Sequence, residues 1–149
     1  MKKSLKRIIL LGLILFFGYL IYLNHLVKGA LSSEIQESEK INQIEYPLEG
    51  YPKEMVNMLL LIEDQSFFQH WGVDFKEIVR VFYGYFLEDR PIRGASTITQ
   101  QLIKNTLLSR DKTLSRKIDE VLMAMLMELN YDKHYILERY MNTVYLAQQ

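Results

Sequence analysis

The stretch GASTITQQLIKNTLL, residues 94–108, begins as a loop and then starts a helix. Thr97 is suited to an N-cap because its hydroxyl can accept from an orphaned first-turn N–H. Gln100, three residues on, can reach back to the N-cap N–H, which completes a capping box and opens a helix to about Leu108. Downstream, Thr113 can cap a long helix to about Asn130, and Asp132 a last one with Ile136, Leu137, Tyr140 and Met141 on its apolar side. Upstream, Pro91 and Gly94 break the chain, and Asp74 with Glu77 makes an Asp-x-x-Glu box ahead of Phe75, Ile78, Val79, Phe82 and Phe86 at helical spacing. Residues 54–64 carry seven apolar side chains on a wide arc (Met55, Val56, Met58, Leu59, Leu60, Leu61, Ile62), which predicts a helix buried in a core and ending at Glu63-Asp64. No Asn-Gly turn joins alternating runs anywhere, so the expected fold class is all-α.

The amino terminus adds one more helix. Lys2, Lys3, Lys6 and Arg7 lie within residues 1–7 with no acid, and Ile8 to Leu23 follow without a charge. Extended to Val27, the apolar segment at ~1.5 Å per residue matches a ~30 Å hydrocarbon layer. Tyr19 and Tyr22 stand near its far end, where amphipathic rings are favoured. We therefore expect a basic cytoplasmic flank at 1–7, a single transmembrane anchor at 8–27, and export of everything beyond it. A cleaved signal peptide is the competing reading, since Gly29-Ala30-Leu31-Ser32 offers small residues. Residues 28–53, with five glutamates and with Pro47, Gly50 and Pro52, read as a stalk or extended approach to a domain at 54–149.

Composition narrows the classes further. At 149 residues the chain holds about one domain, and with no cysteine it has no disulfide scaffold, thiolate zinc site or cysteine nucleophile. With 49% hydrophobic residues and no repeat, it is neither disordered nor a solenoid. The 18 basic and 18 acidic side chains cancel only in total. Between residues 90 and 117 seven basic residues (Arg90, Arg93, Lys104, Arg110, Lys112, Arg116, Lys117) face the single acid Asp111, a local net of +6.

Two places can carry chemistry. Glu63 follows seven apolar residues and precedes an aromatic-rich loop, Gln65 to Gly72, so it is placed to be partly desolvated and to abstract a proton. A solvated helix terminus is the plain alternative, and His70 reads as a satisfied loop histidine. The basic stretch, with helix N-termini near Thr97 and Thr113, supplies what a phosphate or pyrophosphate needs. Gln101, Lys104 and Asn105 share one helical face, as do Arg116, Lys117 and Glu120. An ordinary Arg116–Glu120 surface pair and anionic lipid binding are the bland readings of that stretch. Met123, Met125 and Met127, and most of Phe82, Tyr83, Tyr85 and Phe86, read as core packing, with any exposed rings available to a membrane interface.

Taken together, these segments resemble the peptidoglycan glycosyltransferase family, the lysozyme-like domain of class A penicillin-binding proteins and of monofunctional transglycosylases. The pattern E-D-x-x-F-x-x-H-x-G-x-D stands at Glu63 to Asp74, G-[GA]-S-T-I-T-Q-Q-L-x-K-N at Gly94 to Asn105, R-K-x-x-E at Arg116 to Glu120, and I-L-E-x-Y-x-N at Ile136 to Asn142. Four motifs in order over about 80 residues, behind a single anchor, make the likeness specific.

The resemblance implies an enzyme of the bacterial inner membrane, with its N-terminus inside and its catalytic domain outside. Lipid II and the lipid-linked glycan would be its substrates, and an acceptor 4-hydroxyl would displace undecaprenyl pyrophosphate with inversion. It implies Glu63 as general base with Asp64 tuning or orienting it, and Lys104, Arg116 and Lys117 neutralising the pyrophosphate beside the second carboxylate Glu120. Ser96, Thr97, Gln101 and Asn105 would complete the donor-side surface. No cofactor is required by the sequence; Mg²⁺ or another divalent ion could assist, although no metal-ligand spacing is present. Further partners implied are cell-wall synthesis or division proteins, and nothing points to nucleic acid.

Ala95 and Ala147 stand where the family commonly has glycine, and the chain stops at Gln149, where family domains continue with more helices. We therefore expect a domain incomplete at its C-terminus, which separates family membership from catalytic competence. A lysozyme-like glycoside hydrolase using Glu63 and a second carboxylate is one alternative. A non-catalytic lipid II-binding membrane module is the other.

Overall fold

The structure is a computed structural model that describes residues 2–40, 46–88, 94–108 and 113–146, without the side chains of residue 2, residues 33–40 and residues 145–146. It contains α1 (Lys2–Lys40), α2 (Lys53–Glu63), α3 (Phe75–Glu88), α4 (Ile98–Thr106), α5 (Leu114–Asn130) and α6 (Lys133–Leu146), with 3₁₀ turns at Leu48–Gly50 and Phe67–Gln69. No strand occurs among the described residues, so the all-α class holds.

Local capping chemistry starts four of these helices. Gln100 N–H donates to Thr97 Oγ1 while Thr97 N–H donates to Gln100 Oε1, the full capping box. Arg116 N–H donates to Thr113 Oγ1, Tyr135 N–H to Asp132 Oδ1, and Glu77 N–H to Asp74 Oδ1. Each side chain satisfies a backbone donor that has no partner inside the first turn, typically worth ~1 kcal/mol.

The core forms where α4 packs on α5 and α6 and α1 packs on α5. Ile98, Leu102 and Ile103 of α4 meet Met123, Ala124 and Met127 of α5 and Ile136, Leu137, Tyr140 and Met141 of α6, with Phe67 inserted from the first loop. A polar strut crosses this core. Glu128 accepts from Thr99 Oγ1 and Lys133 Nζ, each at 2.7 Å, and the same ammonium lies 4.3 Å from the centre of the Phe67 ring.

Several expectations change. Residues 28–40, read as a stalk, continue α1 without a break, and Leu23, Val27 and Leu31 are core residues on its inner stripe. Their spacing of four places them on one face, which finds α5. Lys3–Ser32 is the one stretch of the described residues long and apolar enough to cross a membrane. α2 is not sunk in the core: Met55, Val56, Leu59 and Leu60 lean against it, while Met58, Leu61 and Ile62 are exposed. The rings of Phe82, Tyr83, Tyr85 and Phe86 are likewise exposed rather than packed inside, as are Phe68, Trp71 and Phe75. Helical spacing gathered Phe82, Tyr83, Tyr85 and Phe86 on α3, and no second element among the described residues covers them. Met123 and Met127 are core, as expected, but Met125 is exposed.

Candidate active site

Glu63 ends α2, and its carboxylate is exposed, so the expected desolvation by the preceding apolar run does not occur. The apolar residues lie on the helix behind it and do not enclose it. Orientation comes instead from a relay of two hydrogen bonds: Tyr140 Oη donates to Gln101 Oε1, and Gln101 Nε2 donates to Glu63 Oε2, both at 2.9 Å. Burial of Tyr140, together with the negative charges of Glu63 and Asp64, pushes its phenol up to about 12.

Asp64, the next residue, is buried and turned the other way. Its Oδ2 accepts the Ile98 N–H at 2.9 Å, and both carboxylate oxygens lie 3.0 Å from His70 Nε2. The carboxylate therefore faces the first N–H of α4, where the helix dipole favours negative charge. His70 is satisfied on that side, as expected of a loop histidine, while its Nδ1 is buried without a partner among the described residues.

The loop from Phe67 to Gly72 is pinned to the domain by its last residue. Gly72 adopts φ +78°, and its carbonyl accepts from Thr97 Oγ1 at 2.6 Å. A Cβ at this position would come 2.5 Å from the Ala124 carbonyl oxygen, so only glycine allows the loop to close on α5.

The cationic half lies on α5. Arg116 Nη1 pairs with Glu120 Oε2 at 3.1 Å, Lys117 Nζ pairs with Glu120 Oε1, and Lys117 Nζ also donates to Ser96 Oγ at 3.0 Å. Glu120 is only 1% exposed, so this is a buried carboxylate shared by two partly exposed cations and not the plain surface pair. Two cations on one carboxylate leave a net positive charge, and Arg116 Nε has no hydrogen-bond partner among the described residues.

The candidate residues thus assemble into two groups. Glu63 with Gln101, and Asp64 with Thr97 at the head of α4, form the first; Ser96 with Lys117, Arg116 and Glu120 forms the second. A cleft of about 1260 Å³ is lined by Glu63, Asp64, Ser96 and Thr97 together with Lys76 and Arg80 of α3. Lys104 and Asn105 are exposed one turn along α4 from Gln101. Arg90, Arg93, Arg110 and Lys112 of the basic stretch, and Ala147, lie outside the described residues. Among the described residues no three acidic or histidine side chains gather as a metal-holding group. Tyr140 is the member that sequence reasoning missed. Its spacing puts it on the apolar face of α6, and only its hydroxyl, which burial obliges to find a partner, points to a further role.

A family model described as Transglycosylase matches residues 28–149. The chain is 38% identical to penicillin-binding protein 1B of Haemophilus influenzae over 112 residues, which cover 75% of the chain and 14% of that relative. It is 43% identical to penicillin-binding protein 1B of Escherichia coli over 102 residues, covering 68% of the chain and 12% of the relative. Penicillin-binding protein 1A of Aquifex aeolicus aligns over 99% of the chain at 34% identity, and 23% of that protein is covered. The chain thus spans less than a quarter of the length of these curated relatives.

Proposed function

The chain belongs to the transglycosylase family, and on that premise we propose that it is a membrane-anchored peptidoglycan glycosyltransferase that polymerises lipid II. The observation that carries the proposal is one exposed, oriented carboxylate, Glu63, sharing a cleft with the Ser96 loop that a lysine of the cationic triad holds.

In the proposed reaction the acceptor 4-hydroxyl attacks the anomeric carbon of the donor. Glu63 takes the hydroxyl proton as the new glycosidic bond forms, and the bond to undecaprenyl pyrophosphate breaks with inversion. Arg116 and Lys117 offset the negative charge developing on the leaving oxygen, and Lys104 adds a third cation from α4. Glu120 keeps the two α5 cations in place, and Ser96 extends the polar surface toward the donor. Asp64 acts through position: its bonds to Ile98 N–H and His70 fix α4, which carries Gln101 to Glu63. Thr97 caps that helix, and Asn105 lies further along its exposed face.

In this proposal residues 1–7 stay in the cytoplasm of a bacterial cell, 8–27 anchor the chain in the inner membrane, and 54–149 form the glycosyltransferase domain outside. The exposed apolar side chains of α2 and the rings of α3 rest in the membrane interface, where amphipathic rings are favoured. Cell-wall synthesis or division proteins are its partners. The hydrolase reading is less well supported, because Asp64 and Glu120 are both buried and engaged, which leaves neither as a free second carboxylate for a glycosidase pair.

The test is incubation of the purified chain with lipid II in detergent and in vesicles. Glycan polymer from the parent protein, lost in Glu63→Gln with lipid II binding retained, is the expected result. Soluble muropeptides released from finished peptidoglycan would favour the hydrolase. Lipid II binding without turnover in either protein would favour the binding module.

A further inference from the structure

α1 meets α5 through two polar pairs as well as a buried stripe. Tyr19 Oη donates to Asp119 Oδ1, and Asn130 Nδ2 donates to Asn24 Oδ1 at 2.6 Å. Leu23, Val27 and Leu31 are buried on the same face of α1. The apolar stripe fixes which face docks, but apolar contacts are non-directional and tolerate sliding. The hydrogen bonds do not: a shift of one turn, about 5.4 Å, leaves all four polar groups without these partners.

That register bears on height in the membrane. From Ile8 to Tyr19 the side chains of α1 are exposed, a stretch of 12 residues that spans only about 18 Å at ~1.5 Å per residue, short of a ~30 Å hydrocarbon layer. The outward face remains apolar for another turn, with Ile21 and Tyr22 exposed, before the exposed polar residues His25 and Lys28. A bilayer matched to the apolar face therefore reaches to about Tyr22, one turn beyond Tyr19. Asp119, bonded to Tyr19, then lies within one helical turn of the headgroup boundary, where a carboxylate needs a hydrogen-bond donor. Glu120 follows Asp119 directly, and Arg116 and Lys117 lie within one turn before it. The cationic triad is thereby held within about one turn of α5 from that bond.

We propose that Tyr19–Asp119 and Asn24–Asn130 form a depth register, four positioning residues that set the height of the Arg116–Lys117–Glu120 triad at the headgroup layer, where the pyrophosphate of a membrane-embedded lipid lies. The role assigned to the triad rests on the proposed function; the register itself does not.

The chain contains no cysteine, so a nitroxide on Leu114→Cys, at the exposed first residue of α5, reports depth directly in the full-length protein. In vesicles of phosphatidylethanolamine and phosphatidylglycerol, Asp119→Ala and the milder Tyr19→Phe should both move the label relative to the membrane surface. Turnover of long-chain lipid II embedded in the same vesicles should fall by about 10- to 10²-fold, as expected for a misplaced reacting centre. A short-chain, water-soluble lipid II analogue should be polymerised at the parent rate, which a merely structural defect would not allow. An unchanged label depth in both folded variants, checked by circular dichroism, overturns the register, as does an equal loss on both substrates. A parent protein that polymerises neither substrate defeats the proposed function, and the label depth still decides the register.

Discussion

Asp64 Oδ2 accepts the backbone N–H of Ile98 at 2.9 Å, a bond that closes 34 residues of chain and joins the end of α2 to the start of α4. Because His70 shares the same carboxylate, one buried charge holds two loops and a helix terminus together. Replacing it by an amide removes the charge while keeping the shape. Hydrogen bonds to charged groups contribute about 1.5–3 kcal/mol each, so Asp64→Asn should lower stability by about 2–4 kcal/mol. A thermal melt followed by circular dichroism should show a midpoint lower by several degrees, and Glu63-dependent turnover should fall as α4 loosens.

Gly72 makes a second prediction of the same kind. In Gly72→Ala the left-handed backbone alone costs about 1–3 kcal/mol, and the new methyl meets the Ala124 carbonyl oxygen at 2.5 Å. The neighbour is backbone and cannot rotate aside. Urea unfolding should place the variant well below Gly94→Ala, whose Cβ would meet nothing within 4 Å.

Tyr140 predicts an alkaline signature. Burial and the charges of Glu63 and Asp64 push its phenol up from the ordinary value near 10 to about 12. A raised folded value means the neutral form is favoured in the fold, so this stabilisation is complete below pH 10 and is lost as pH rises from 10 toward 12. Tyr140→Phe should show a shallower fall in stability across that window. At neutral pH it should lose about 0.5–1.5 kcal/mol with the bond to Gln101, and polymerisation should decline because Gln101 no longer holds Glu63 from a fixed position.

Glu120 predicts an asymmetry. Removing the buried carboxylate leaves the mostly buried Arg116 guanidinium without its counter-charge, and breaking such a pair typically costs about 3–5 kcal/mol. Glu120→Ala should therefore be more destabilising than Lys117→Ala, whose side chain is 43% exposed and can be replaced by water. Denaturant midpoints for the two variants check this ordering.

The helix starts were legible because capping is short-range chemistry: Thr97, Thr113, Asp132 and Asp74 each find their donor three residues away. The grouping of Glu63 with Gln101 and of Ser96 with Lys117 depends on contacts 38 and 21 residues apart, which periodicity does not encode. The motifs carried that information only through resemblance. Burial was harder still. Leu23 and Val27 in a membrane span look no different in sequence from Leu23 and Val27 in a core, and the rings of α3 announce one apolar face without saying what covers it. Glu63 shows the converse, since an apolar run before a carboxylate does not enclose it.

Leu23, Val27 and Leu31 of α1 belong to the same cluster as Met123 and Met127, so the core of the domain is incomplete without α1. Removing residues 1–27 would strip Leu23 and Val27 from that cluster, each worth about 1.5–3 kcal/mol of burial. During biosynthesis α1 is made before α5 and must wait for it, since α5 starts 74 residues after α1 ends. Under the proposed topology, insertion of α1 and closure of the core become one coupled event in biogenesis, with α1 serving as the template on which α5 assembles.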